Sequence, residues 1–172
     1  MEKKAVWKNV VFHCIRSFFL PEYNSKLKLR LIILLSVLPC FFLIFRPCFI
    51  SGKSMAPAWN DGGFTFSYRL RYLFAPPQRG DVVCISYFGR KMLLKRVVAI
   101  AGDLVEFKDG KLLVNGVLQE EEYVKFPCKW NIAPVTVRDG FCYAVGDNRS
   151  MSHLEHKFGE VSLKRIVGGP LF

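Results

Sequence analysis

Acidic residues are scarce in this 172-residue chain: 14 Asp and Glu stand against 25 Lys and Arg, a formal net charge of +11. A balance so basic points to nucleic acid or to an anionic membrane surface. Further absences argue against the first. There is no helix-turn-helix pattern, no RNP-like aromatic strand and no zinc-finger spacing, and only three His are present. Low-complexity tracts are missing too: 51% of the residues are hydrophobic and 15% aromatic, with 16 Phe, which excludes a disordered chain. The length accommodates one ordinary domain with an appendage, not two large domains.

The positive charge is densest at the start. Residues 1–30 carry seven basic and two acidic side chains, whereas residues 51–172 are only mildly basic. The arm ends against an apolar run, Leu31 to Phe45, that continues past Arg46 and Pro47 to Ile50. With Arg46 snorkelling to the headgroups, residues 31–50 make one membrane span. A cleaved signal peptide is the main rival, but the run starts late and no small-x-small cleavage site follows it. A buried core helix would leave Lys26, Lys28 and Arg30 without a purpose. The expected layout is a basic cytoplasmic arm (1–30), a transmembrane anchor (31–50) and a domain on the far side of the membrane (51–172). Within the arm, Val6, Trp7, Val10, Val11, Phe12, Ile15, Phe18, Phe19 and Leu20 keep helical spacing around Lys8 and Arg16, predicting an interfacial helix over 6–20.

Residues 51–172 read as mostly β, antiparallel, with no long amphipathic helix. Strands are expected at 81–87, 93–100, 104–108, 111–114 and 141–145. The dipeptides Asp109-Gly110 and Asn115-Gly116 predict type I′ turns in a meander. Sheets so rich in Val, Leu and Phe must fold on one another to bury them. Of the six Cys, Cys84 reads as a small core hydrophobe. Cys128 and Cys142 form a pair in an oxidising compartment if they lie close enough, which spacing alone leaves open. Cys128, Cys142, His153 and His156 fit no standard zinc pattern, so neither a metal nor a cofactor is expected.

Four blocks carry chemistry. Ser51-Gly52-Lys53-Ser54-Met55-Ala56-Pro57 stands just past the apolar run. Arg79-Gly80-Asp81-Val82-Val83 and Lys95-Arg96-Val97-Val98-Ala99-Ile100-Ala101-Gly102-Asp103 follow. The last is Gly146-Asp147-Asn148-Arg149, with Ser152 and Gly159 beyond it. Each alone is weak, and Ser54 alone would pass for a turn residue. In this order behind an anchor, over about residues 46–169, they resemble the type I signal peptidase family. The resemblance implies a membrane-anchored β-fold and secretory preproteins, cut after a small-x-small motif, as substrates. It implies Ser54 as nucleophile and Lys95 as general base, with Ser152 as a hydroxyl that helps hold the lysine.

The residue types suit those roles. A serine hydroxyl needs a base within hydrogen-bond reach. His13 would lie across the membrane, and His153 and His156 fall in a polar loop. A lysine serves if burial keeps it neutral. Lys95 has Met92, Leu93 and Leu94 before it and Val97 and Val98 after it, with Leu93, Lys95 and Val97 on one strand face. Taken alone, Lys95 would instead read as an edge-strand gatekeeper. The Ser54 N–H is the natural oxyanion donor, with Gly52 allowing close backbone approach. Asp147, Asn148 and Arg149 are expected to fix the turn beside the site.

The chain also departs from the family pattern. Leu154-Glu155-His156 replaces an Asp-Ser-Arg triplet, removing an ion pair that Glu155 is expected to replace in part, toward Arg96. Ala99 and Ala101 stand where Gly and Pro are common. Phe49, Ile50, Trp59, Phe64, Phe66 and the segment 70–74 are expected to supply many apolar side chains near the site, some to the core and others to an apolar rim at the lipid surface, with Arg69 and Arg71 meeting phosphates. Two alternatives stay open: a processing peptidase of narrow clientele, of inner-membrane or conjugation type, and an anchored subunit that keeps the fold without catalysis, against which the retention of both Ser54 and Lys95 speaks; a third, a self-cleaving DNA-binding repressor, fails. Residues 1–50, an anchor and not a DNA reader, count against the last.

Overall fold

The computed structural model describes residues 25–87, 92–126, 128–152, 156 and 159–171. The expected interfacial helix over 6–20, with Cys14 and His13, lies outside them, as do His153, Leu154 and Glu155. The chain divides into two compact units, residues 1–41 and 42–172.

The first unit contributes most of helix α1, Ser25–Ile44. At about 1.5 Å per residue, twenty residues reach about 30 Å, the thickness of a bilayer's hydrocarbon core. Its stretch Lys26–Ile44 is long and apolar enough to cross a membrane, and its Leu, Ile and Phe side chains are largely exposed all round. The one hydroxyl in its middle is satisfied locally, Ser36 Oγ donating to Ile32 O at 2.8 Å. Pro39 removes one ladder hydrogen bond inside the helix.

The helix ends six residues before the expected end of the anchor at residue 50. Phe45–Phe49 is instead strand β1, paired antiparallel with β2, Phe64–Tyr68. Pro47 supplies no N–H for a helical ladder, yet is tolerated on an edge strand, and β1 is the edge of its sheet. Arg46 is therefore a strand residue rather than a snorkelling member of the span.

The remaining strands are β3 (Val82–Ser86), β4 (Met92–Ile100), β5 (Leu104–Lys108), β6 (Lys111–Val114), β7 (Val117–Leu118), β8 (Ile132–Thr136), β9 (Phe141–Val145), β10 (Gly159–Ser162) and β11 (Ile166–Pro170). They form a seven-stranded sheet ordered β1-β2-β11-β3-β4-β9-β10 and a four-stranded sheet ordered β7-β6-β5-β8, with every pairing antiparallel. The expected mostly β, antiparallel architecture is present. Both type I′ signals are realised: Asp109 and Gly110, and Asn115 and Gly116, all have positive φ.

Three apolar clusters hold the sheets. Phe107, Trp130, Val98 and Tyr143 centre one; Cys48, Met55, Cys84 and Leu94 a second; Val83, Val97, Cys142 and Ala144 a third. Leu94 and Val97 thus enter different clusters, as strand alternation requires. Val98 is an extra residue where the β4–β9 register shifts between Val97 and Ala99, so Val98 and Ala99 both join the first cluster. Cys128 and Cys142 are free thiols. Cys142 is sealed in the third cluster, where burial raises its pKa to about 11, while Cys128 packs against the first.

Candidate active site

Ser54 sits in the turn that follows β1. The turn is closed from within by Ala56 N–H to Lys53 O at 3.1 Å and Trp59 N–H to Met55 O at 2.9 Å. Its entry is tied by Gly52 N–H to Asp61 Oδ1 at 2.8 Å. Met55, fully buried beside Cys48 and Leu94, pins the turn to the core. Gly52 is required for its φ of +100°, a left-handed conformation that side chains resist. The expected reason, close backbone approach, does not apply to the free protein: a Cβ there would meet nothing within 4 Å.

Lys95 comes from the middle of β4, opposite Val83 on β3. It is 2% exposed, and its Nζ lies 2.6 Å from Ser54 Oγ. Two residues 41 apart in sequence are thus in hydrogen-bond contact, with the amine end of the pair taken out of water.

The turn after β9 grips the serine from its backbone side. Asn148 N–H donates to Ser54 O at 2.9 Å, and Asn148 Nδ2 donates to Lys53 O at 3.0 Å. The amide is oriented by Ser150, whose Oγ donates to Asn148 Oδ1 at 2.7 Å. Because C=O and N–H of a trans peptide point in opposite directions, holding Lys53 O also sets the direction of the Ser54 N–H. Gly146 is dictated by space. A Cβ there would fall 2.2 Å from Ser54 O and 2.5 Å from the His156 ring.

Around this contact lies a charge network. Arg96 forms a bidentate pair with the fully buried Asp147, Nε to Oδ1 at 2.9 Å and Nη2 to Oδ2 at 2.7 Å. Its carboxylate partner among the described residues is Asp147; the contact expected from Glu155 falls outside them. Arg149, also buried, donates through Nε to Gly146 O at 2.7 Å and through Nη1 and Nη2 to Glu121. Tyr123 Oη donates to Glu121 at 2.7 Å, and the Arg96 guanidinium lies 4.0 Å from the centre of the Tyr123 ring. Burial, then the Glu121 charge, raises the Tyr123 pKa, so the phenol keeps its proton. Asp147 and Arg149 fix the turn as expected; Glu121 and Tyr123 were not anticipated. Their only sequence signal is the acidic run 120–122, which a solvated loop explains equally well.

His156 overturns its expected place in a polar loop. It is 1% exposed and stacks edge-on against Trp130 at 4.9 Å. Nε2 lies 2.8 Å from Asn148 O, and Gly146 N–H approaches Nδ1 at 3.4 Å. Burial, with the positive charge of Arg149 adding to it, lowers its pKa to about 4. Ser152, by contrast, is exposed on the loop after Arg149. Of the apolar side chains expected to divide between core and rim, Phe49, Phe64, Leu70, Leu73 and Phe74 are exposed, while Ile50 is buried in the core and Trp59 packs against it.

An antiparallel β-fold that opposes a serine hydroxyl to a buried lysine amine, in a chain that also carries a helix long and apolar enough to cross a bilayer, defines a class of β-proteins built around a Ser–Lys contact. Comparison with known proteins narrows this. The chain belongs to the signal peptidase family, peptidase S26, whose model matches residues 24–171. It is 33% identical over 139 residues to thylakoidal processing peptidase 1 of Arabidopsis thaliana, covering 74% of this chain and 41% of that protein. It is 30% identical over 158 residues to a probable signal peptidase I-1 of Synechocystis, covering 87% of this chain and 81% of that one. Against signal peptidase I of Bacillus licheniformis the identity is 28% over 183 residues, 99% of this chain and 92% of the relative. The chain thus spans 41% of the chloroplast relative's length but most of both bacterial ones.

Proposed function

We propose that the protein is a membrane-anchored serine endopeptidase that removes N-terminal signal peptides from secretory preproteins, cutting after a small-x-small motif. Ser54 is the nucleophile and neutral Lys95 the general base. The observation that carries this reading is the 2.6 Å contact between Ser54 Oγ and a lysine amine withdrawn from water. Burial penalises the ammonium, which favours the neutral amine that a general base requires.

In the proposed reaction, Ser54 Oγ bonds to the scissile carbonyl carbon while its proton passes to Lys95 Nζ. The carbonyl oxygen takes up the displaced electron pair and accepts a hydrogen bond from the Ser54 N–H. The C–N bond then breaks, Lys95 returns the proton to the leaving amine, and an ester remains on Ser54. Water, losing a proton to Nζ, attacks the ester; the acid leaves and Ser54 recovers its hydroxyl. Gly52 supports the turn that presents Ser54. Ser152 is the hydroxyl that the resemblance assigns to steadying the lysine.

Helix α1 serves as the single span, with the basic arm in the cytoplasm and the peptidase domain on the opposite side, at a bacterial inner or plasma membrane. Ser54 follows the last helical residue by ten positions, a reach of at most about 36 Å. That suits a substrate whose cleavage site emerges at the lipid surface. The test is incubation of the detergent-solubilised protein with a preprotein beside a Ser54→Ala control. Cleavage by the wild type alone supports the reading; equal cleavage by both, or none by the wild type, overturns it.

A further inference from the structure

Two hydrogen bonds define how His156 is used. Gly146 N–H can only donate and Asn148 O can only accept, so the ring must accept at Nδ1 and donate from Nε2. That is the neutral imidazole in a single tautomer. With both nitrogens occupied and the ring sealed against Trp130, His156 has no free lone pair to offer a substrate or Ser54.

What it does hold is Asn148. The residue whose carbonyl accepts from His156 at 2.8 Å is the same one whose N–H and side-chain amide bind Ser54 O and Lys53 O. The chain of contacts runs from the imidazole, through one residue, to the peptide that carries the Ser54 N–H. Gly146, at the other end of the clamp, is pressed between Ser54 O and the His156 ring. An arginine or lysine at position 156 has donors and no acceptor, so it cannot reproduce the clamp with Gly146 N–H.

We infer that His156 is a positioning residue, holding the Gly146–Asn148 turn so that Asn148 fixes the direction of the Ser54 N–H; this rests on the Ser/Lys reading above. Neither of these two hydrogen bonds goes to a reacting atom. The effect of His156 therefore falls on the oxyanion, which forms after substrate has bound, and appears in kcat rather than KM.

The experiment compares His156→Phe, which keeps an aromatic ring against Trp130 and loses both hydrogen bonds, with His156→Gln, whose amide offers one acceptor and one donor. Each full-length variant in detergent is assayed for thermal unfolding, for preprotein cleavage, and for amide hydrogen exchange over residues 53–56. The expected result is a kcat at least tenfold lower for His156→Phe with KM within about twofold. His156→Gln should return to within about threefold of wild type, and exchange over 53–56 should accelerate in the Phe variant alone. Wild-type kcat and exchange in His156→Phe overturn the inference, as does a Gln variant as impaired as Phe. If His156→Phe does not fold, His156→Leu takes its place under the same criteria. If the wild type cleaves nothing, the functional reading fails on its own, and the exchange data still decide whether His156 orders the serine turn.

Discussion

The Arg96 guanidinium meets the Asp147 carboxylate with two parallel hydrogen bonds, 2.9 and 2.7 Å, joining the residue next to Lys95 to the residue next to Gly146. Asp147 is completely buried and Arg96 nearly so. Breaking such a pair from one side leaves an uncompensated charge, which costs far more than the pair's net worth. Arg96→Met is expected to destabilise the domain by about 3 kcal/mol or more, measured by chemical unfolding. Arg96→Lys should recover only part of this, since an ammonium cannot match the two-oxygen geometry.

Lys95 is the second test. Burying an amine opposes folding whenever the amine must be charged. Lys95→Met is expected to abolish preprotein cleavage while raising the melting temperature. Lys95→Arg should also be inactive, because guanidinium does not lose its proton in a protein. Substantial cleavage by Lys95→Arg would exclude the lysine as base.

His156 predicts a limb in the acid stability profile. Its folded pKa, about 4, lies below the ordinary histidine value of 6.5, with burial as the first cause and the Arg149 charge adding to it. Between those values the unfolded chain binds a proton that the folded chain does not, so stability rises with pH. The contribution is fully present above about pH 6.5 and is lost as pH falls toward 4, on the order of 3 kcal/mol in all. Urea titrations from pH 7 to 4 should show this loss in the wild type and a flatter profile in His156→Gln. An identical slope in both would place the acid sensitivity elsewhere.

The exposed aromatic tip offers a fourth prediction. Phe74 is 95% exposed, with Leu73 beside it and Arg69 and Arg71 just before it. If this edge enters the headgroups, Phe74→Ser should weaken binding of the solubilised protein to anionic vesicles several-fold without changing its melting temperature. Unchanged vesicle binding would mean that the apolar tip faces something other than lipid.

Changing the departed triplet back toward the family pattern is not expected to help. Read from sequence, Leu154→Asp with His156→Arg restores an ion pair. In the folded protein, position 156 is a sealed cavity with an N–H donor on one side and a carbonyl acceptor on the other. The arginine would forfeit the Gly146 contact and bury a charge, so the double variant should melt below the wild type.

Some elements were readable residue by residue because their causes are local. Strands 104–108, 111–114 and 141–145 appear with the expected ends. Alternation and the two type I′ dipeptides depend only on neighbouring φ and ψ. Strand β8 was missed because Ala133 and Pro134 argue against a strand. It survives as a sheet edge, where Ala133 and Pro134 fall at the register shift between Val105 and Phe107. Strand β1 was absorbed into the apolar run, since only its pairing with β2 distinguishes it from more helix.

The same division holds at the site. A serine after an apolar run and a lysine inside an apolar strand can be read from their neighbours, as can the turn chemistry of Gly146-Asp147-Asn148. The folded sheet decided the rest: that Lys95 loses its water and reaches Ser54, that Arg96 pairs with Asp147 51 residues away, and that His156 is enclosed. Local signals act through backbone dihedrals within a few residues. Burial and partner choice follow from strand order, which brings β4, the turn after β1 and the turn after β9 to one place, and no stretch of the chain carries that order on its own.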